Sequence, residues 1–273
     1  MNIPILLYHS IAQDVTPQYH RWALSPATFA AQMEIVHDQG YTPIHASRLV
    51  SVMRGIDTGL PDRPVVITFD DGLADFYQNA LPILLGMKYP AALFITTSYV
   101  GGTSLWLKKE GLSNYPMLTW EQIDEIASSG VEIGSHGNNH KQLDTLAIEQ
   151  ARDEIVRSRT LLESRLGKTV DFFAYPYGYH SSAVQGLLRL AGYQAAFGVK
   201  HAMSSLADDL YALARIIISA DTSNDHFSQL LKGNGLRTAP FGEKVHTKAW
   251  RTVRRSSSAI KRRMNTENGL PNE

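Results

Sequence analysis

The chain has 273 residues, 44% of them hydrophobic, and no cysteine. That length fits one large α/β domain or two small ones, and the lack of cysteine excludes disulfides and thiolate metal sites, so any metal must be held by His, Asp or Glu. The formal net charge is zero but unevenly spread: residues 1–243 carry 18 basic and 24 acidic residues, a balance of −6, whereas Lys244–Arg263 holds eight basic residues and no acidic one.

In chain order, Ile3–Tyr8 reads as an apolar strand that ends abruptly on His9. Ser25-Pro26 gives an N-cap followed by proline at the first helical position. The helix they open carries Phe29, Met33 and Val36 on one face and stops at Gly40. Tyr41–Ile44 predicts a short strand, Ser47–Met53 a short helix, and Val65–Phe69 a clear strand. A helix is expected over Asp75–Leu85, with Pro82 as a kink or early stop. Ala91–Thr96 predicts a strand, and the glycines and proline of 101–118 predict a long loop. Thr119 with Gln122 forms a capping box for a helix ending at Gly130. Val131–Ser135, Phe172–Tyr175, Tyr193–Val199 and Leu213–Ile218 read as further strands. Helices are expected over Asp144–Leu166, Ser182–Ala191 and Asp225–Leu231. Strands and helices alternate almost throughout, with about seven or eight strands, which implies a parallel sheet. Periodicity alone does not separate a doubly wound sheet from a barrel.

Several polar residues fall at strand ends, where a β/α barrel builds its active site. His9, Asp70 and Asp71, His136, and Pro176 with Tyr177 each follow a strand. In ITFDDG (67–72), adjacent carboxylates can face opposite ways, one toward a metal and one free as a base; an Asp-rich turn is the plain alternative. In SHGNNH (135–140), His136 and His140 are four apart, which lets two imidazoles converge on one ion. With Asp71 they make a His-His-Asp set that leaves a coordination position open for water. In FFAYPYG (172–178), the rigid turn offers Tyr177 as a pocket wall, with core packing as the alternative for Tyr175.

FDDG, SHGNNH and AYPYG, in that order, together with LTWEQIDEIASSGVEIGSH and the YHS start, resemble the polysaccharide deacetylases of carbohydrate esterase family 4, the NodB homology domain. The resemblance covers most of residues 3–231. It implies an α/β fold, a distorted, incomplete (β/α) barrel of about seven or eight units. It implies one divalent metal ion, usually Zn2+ with Co2+, Ni2+ or Mn2+ as alternatives, held by Asp71, His136 and His140. Asp70 would be the general base in hydrolysis of an N-acetyl group on an amino sugar.

Two positions depart from the family. Ala174 stands where many members have an arginine that orients the base. Arg215 is a candidate replacement; an ordinary strand-end ion pair is the equal alternative. The last strand, ARIIISADT, lacks the histidine that serves many members as general acid, and His226 is poorly placed for it. Both departures, with YHS, resemble the branch acting on poly-N-acetylglucosamine, which implies His9 as the acid. Tyr177, Pro176 and Arg215 are grouped as substrate-side residues, and Trp106 as a loop aromatic that could stack on a sugar. A related C–N hydrolase acting on a small amide, imide or formyl group, or a carbohydrate-binding pseudoenzyme, are the alternative functions.

Residues 1–240 are read as the NodB-like domain and 241–273 as a basic, flexible tail that could instead touch an anionic membrane surface. The expected partner is an N-acetylated glycan or lipid-linked sugar, with no nucleic acid. Neither a signal peptide nor a run of roughly 20 apolar residues is visible, so a cytoplasmic location is expected.

Overall fold

The computed structural model describes residues 1–242 and 253–258. Eight strands form one parallel sheet: β1 (Ile5–Tyr8), β2 (Thr42–Pro43), β3 (Pro64–Phe69), β4 (Ala92–Ile95), β5 (Glu132–Ser135), β6 (Phe172–Ala174), β7 (Ala195–Phe197) and β8 (Ile216–Ile217). Their order is β7-β6-β5-β4-β3-β1-β8, with β2 paired to the start of β3. Helices α1 (Pro26–Asp38), α2 (Ala46–Met53), α3 (Leu81–Met87), α4 (Trp120–Ser128), α5 (Ile148–Leu166), α6 (Ser182–Leu190) and α7 (Asn224–Leu231) connect them.

The sheet curls into a distorted, incomplete barrel. Its end strands β7 and β8 are joined only through a parallel bridge between Phe197 and Leu213. Side chains alternate across each strand, and two apolar clusters follow that alternation. Ile67, Phe69, Leu93, Ile95 and Phe173 pack outward with Phe29, Met33, Ile123 and Ile155 of the helices. Val66, Ala92, Phe94, Phe172, Ala174 and Phe197 fill the interior. Continuing the inward alternation past the strand ends places His9 two residues after Leu7, Asp70 two after Thr68, and His136 two after Gly134. The period of two thus delivers all three to the barrel mouth.

Helix starts follow the sequence signals. The Ser25 hydroxyl accepts from Thr28 N at 3.0 Å, with Pro26 in the first turn. Thr119 and Gln122 form the reciprocal capping box.

Element boundaries differ in physical ways. Pro4 has no N–H to donate, and it divides the expected first strand. Asn2–Ile3 pairs antiparallel with Ser204–Ser205, and Ile5–Tyr8 enters the sheet. The Asp75–Leu85 helix begins instead as a π-helical turn, Phe76–Ala80, that runs into α3. Pro82 therefore falls at the junction of the π-helical turn and α3, where its missing N–H interrupts the regular i→i−4 ladder. The expected Asp144–Leu166 helix starts at Ile148, with Asp144 in a preceding 3-10 turn, Leu143–Thr145.

Residues 253–258 are helical. The rest of the tail, including most of the expected flexible and membrane-facing stretch, lies outside the described residues. Among the described residues, no helix is long and apolar enough to cross a membrane.

Gly134 sits where β5 meets two neighbours. A Cβ there would lie 2.5 Å from Phe94 Cδ1 and 3.0 Å from the Phe172 carbonyl oxygen. Overpacking of this kind costs roughly 1–3 kcal/mol. We expect Gly134→Ala to lower the urea or thermal unfolding midpoint by that order. An unchanged midpoint would mean that the interior is looser than described.

Candidate active site

His9, Asp70, Asp71, His136, His140 and Tyr177 line one cleft of about 290 Å³ at the C-terminal mouth of the barrel. Among the described residues, five non-glycine positions have positive φ: Asp71 (77°), Lys88, His140 (53°), Tyr177 (60°) and His201. Three of the five are on this rim. Left-handed backbone on such residues costs roughly 1–3 kcal/mol each and persists where surrounding contacts over-determine it.

Asp70 faces into the barrel. The Arg215 guanidinium, with no exposed surface, donates to both of its carboxylate oxygens at 2.7 Å. Arg215 Nε donates to the Gly198 carbonyl at 2.9 Å. Burial alone would raise the Asp70 pKa; the Arg215 charge, with help from His136, brings it below the usual carboxylate value. Arg215 lies behind Asp70 and does not line the cleft, so it reaches substrate only through Asp70. Ala174 is buried in β6.

Asp71 turns the other way at its positive φ. Its Oδ1 lies 3.2 Å from His140 Nε2 and 3.5 Å from His136 Nε2. One ligand atom from each of the three residues lies within 4.8 Å of the others, and all three residues are buried. Burial pushes the His136 pKa down to about 4, so its ring is neutral at pH 7. Its Nδ1 is 2.8 Å from the Ala174 carbonyl oxygen. A carbonyl only accepts, so Nδ1 carries the proton and Nε2 presents a lone pair. That lone pair faces the Asp71 carboxylate, whose Oδ1 has no hydrogen-bond partner. Burial raises the Asp71 pKa, but the pull of His140 outweighs it, and the group stays well below the usual range. Two acceptors facing each other in a buried site repel unless a cation sits between them. The donor set of two imidazoles and one carboxylate fits a divalent ion of the zinc type.

His9 sits beside Trp22, with ring centroids 4.9 Å apart, and its buried Nδ1 has no partner. Burial lowers its pKa against the opposing Asp71 and Asp70 charges. Tyr177 is 49% exposed, its ring 4.6 Å from that of His140. Burial of its inner part, with the Asp71 charge, pushes its hydroxyl up to about 12. Pro176 is buried and does not line the cleft. Trp106 lies between Tyr99 and His140, at 4.7 and 5.1 Å.

Sequence reading missed Glu154. This buried acid of α5 accepts from the backbone N–H groups of Asn138 and Asn139, at 3.0 and 2.7 Å, and from Asn139 Nδ2 at 2.7 Å. It thereby holds the loop between His136 and His140. Its signal was present: α5 buries Ala151, Glu154, Ile155, Ser158 and Leu162, and an acid on that apolar stripe needs a partner. Residues that orient metal ligands typically contribute 10- to 100-fold in affinity. We expect Glu154→Ala to weaken divalent-metal affinity on the order of 10- to 100-fold, read by chelator competition. Wild-type affinity would remove Glu154 from that role.

A family model described as polysaccharide deacetylase matches residues 57–196. YxkH of Bacillus subtilis (strain 168), provisionally named a polysaccharide deacetylase, is 28% identical over 85% of this chain and 76% of its own length. The poly-beta-1,6-N-acetyl-D-glucosamine N-deacetylase of Escherichia coli (strain K12) is 24% identical over 81% of this chain. The chain spans about 37% of that relative's length. The solved structure of IcaB from Ammonifex degensii shares the fold, with a TM-score of 0.73, 23% identity, and coverage of 85% of this chain and 97% of that one.

Proposed function

The chain belongs to the polysaccharide deacetylase family, whose members are hydrolases of carbon–nitrogen bonds, and on that premise we propose that it removes N-acetyl groups from an N-acetylglucosamine-type polysaccharide, releasing acetate. The observation that carries this reading is the pairing of two adjacent carboxylates with separate environments. Asp71 faces two imidazoles, and Asp70 is held ionised by Arg215. The similarity to the Escherichia coli poly-beta-1,6-N-acetyl-D-glucosamine N-deacetylase supports the substrate class.

Asp71, His136 and His140 would hold a divalent ion, zinc by the nature of its donors. When bound, such an ion polarises a carbonyl and lowers the pKa of a coordinated water. The remaining work falls to the chain. Asp70 accepts the proton of the attacking water at a carboxylate oxygen and is kept ionised for it by Arg215. His9, neutral in the resting cleft, receives the proton that Asp70 has taken from the water and passes it to the departing amine nitrogen as the C–N bond breaks, which returns both groups to their resting states. Tyr177 walls the cleft beside His140, and its backbone N–H is the candidate donor to the oxygen that gains charge.

Positioned acids and bases typically contribute about 10²- to 10⁴-fold in rate. We expect Asp70→Asn and His9→Ala each to lose that order of acetate release from N-acetylglucosamine oligomers while retaining stoichiometric metal. Full turnover by His9→Ala would strike it from the mechanism. A wild-type protein that binds no divalent metal would leave only a carbohydrate-binding role, and preference for small amides over the oligomers would point to a different C–N hydrolase.

A further inference from the structure

The basic stretch near the C-terminus looked like a tail without a task. Where it is described, it sits on the active-site rim. Arg254 Nη1 donates to Gln142 Oε1 at 2.6 Å, and Nη2 to the Asp144 carboxylate. Its guanidinium also lies 4.0 Å from the Tyr179 ring centroid, a cation–π contact. Arg255 Nε donates to the same Asp144 oxygen at 3.0 Å, and Nη2 to the His180 carbonyl at 2.9 Å.

These partners belong to two loops. Gln142 and Asp144 follow His140 by two and four residues. Tyr179 and His180 follow Tyr177 by two and three, and Tyr179 itself lines the cleft with Tyr177 and His140. Two adjacent arginines therefore join the loop that carries His140 to the loop that carries Tyr177. The Asp144 side chain has no exposed surface and meets two guanidinium groups, and the Arg254 side chain is 12% exposed. Charge-assisted contacts of covered groups are among the stronger polar contacts in proteins, and a covered carboxylate stripped of its partners is left costly.

We propose that residues 253–258 act as an intramolecular strap that clamps the His140 loop to the Tyr177 loop and fixes Tyr179 in the wall of the cleft. Arg254 and Arg255 are positioning residues in this role, since they reach the substrate only through Tyr179 and the two loops. The strap lies beyond the 57–196 span of the family match. Its consequence for substrate rests on the deacetylase reading; its docking does not.

Two readouts on the full-length, metal-loaded chain separate these. Hydrogen exchange followed by mass spectrometry compares wild type with Arg254→Ala/Arg255→Ala and, independently, with Asp144→Asn. We expect both variants to lose protection at 253–258 and at 141–144 and 178–180, with the core strands unchanged. Fast exchange of 253–258 in the wild type, or rim loops that do not loosen when it is released, would overturn the proposal whether or not the protein proves to be a deacetylase. On N-acetylglucosamine oligomers, we expect the double variant to raise KM and to lower kcat/KM on the order of tenfold, because the loops it frees carry both Tyr179 of the cleft wall and Tyr177. Equal KM values in wild type and variant would also overturn the proposal, since a strap that fixes the wall must affect binding.

Discussion

The buried pair between Arg215 and Asp70 is the interaction on which the rest of the site depends. Both side chains are almost without exposure, and both carboxylate oxygens are engaged at 2.7 Å. Breaking such a pair by removing one partner typically costs about 3–5 kcal/mol, because a buried charge is left unmatched. The pair also fixes direction. With both oxygens bonded to Arg215, Asp70 stays 3.9 Å from His136 Nε2, whereas Asp71, on its left-handed backbone, approaches both His136 and His140, at 3.5 and 3.2 Å. Two neighbouring residues of one chemical type thereby acquire different environments.

The curled sheet explains why these groups meet. A parallel barrel gathers strand ends at one mouth, and a period of two aims every second side chain inward. His9, Asp70 and His136 each continue an inward series along their strands, after Leu7, Thr68 and Gly134. Arg215 reaches the same interior from beside β8 and lies over the rings of Phe94 and Phe197, at 5.7 and 6.0 Å. An arginine in this position supplies the charge that Ala174 cannot. Asp70 is thus paired from beside the last strand of the barrel instead of from β6. His9 and Arg215 both fall outside the 57–196 family match, whereas Asp70, Asp71, His136, His140 and Tyr177 fall within it.

The grouping of Asp71, His136 and His140 was legible in the sequence because Asp71 and His136 follow strands whose ends share one face, with His140 four residues on. The order of elements was legible for the same reason, from alternating periodicity and from caps such as Ser25 and Thr119. Arg215 was only half legible: the sequence offered it as a partner for Asp70 but could not weigh that against an ordinary ion pair, since the two lie 145 residues apart. Glu154 left a trace in the apolar stripe of α5, but the Arg254–Asp144 contact joins residues 110 apart, which no local pattern encodes. Strand ends were also overestimated. Leu213–Ile218 reads as one strand, yet it pairs in two separate places, Leu213 with Phe197 of β7 and Ile216–Ile217 with β1, because the chain there spans the break in the barrel.

The central claim is that the paired carboxylates divide their work, Asp71 to a metal and Asp70 to a proton. Anomalous diffraction at the zinc edge, from crystals of the protein grown with the ion, tests it most directly. We expect one peak at about 2.0–2.2 Å from an Asp71 oxygen and from the Nε2 atoms of His136 and His140, with Asp70 still gripped by Arg215. A peak coordinated by Asp70 in place of Asp71, or no peak at saturating zinc, would contradict it.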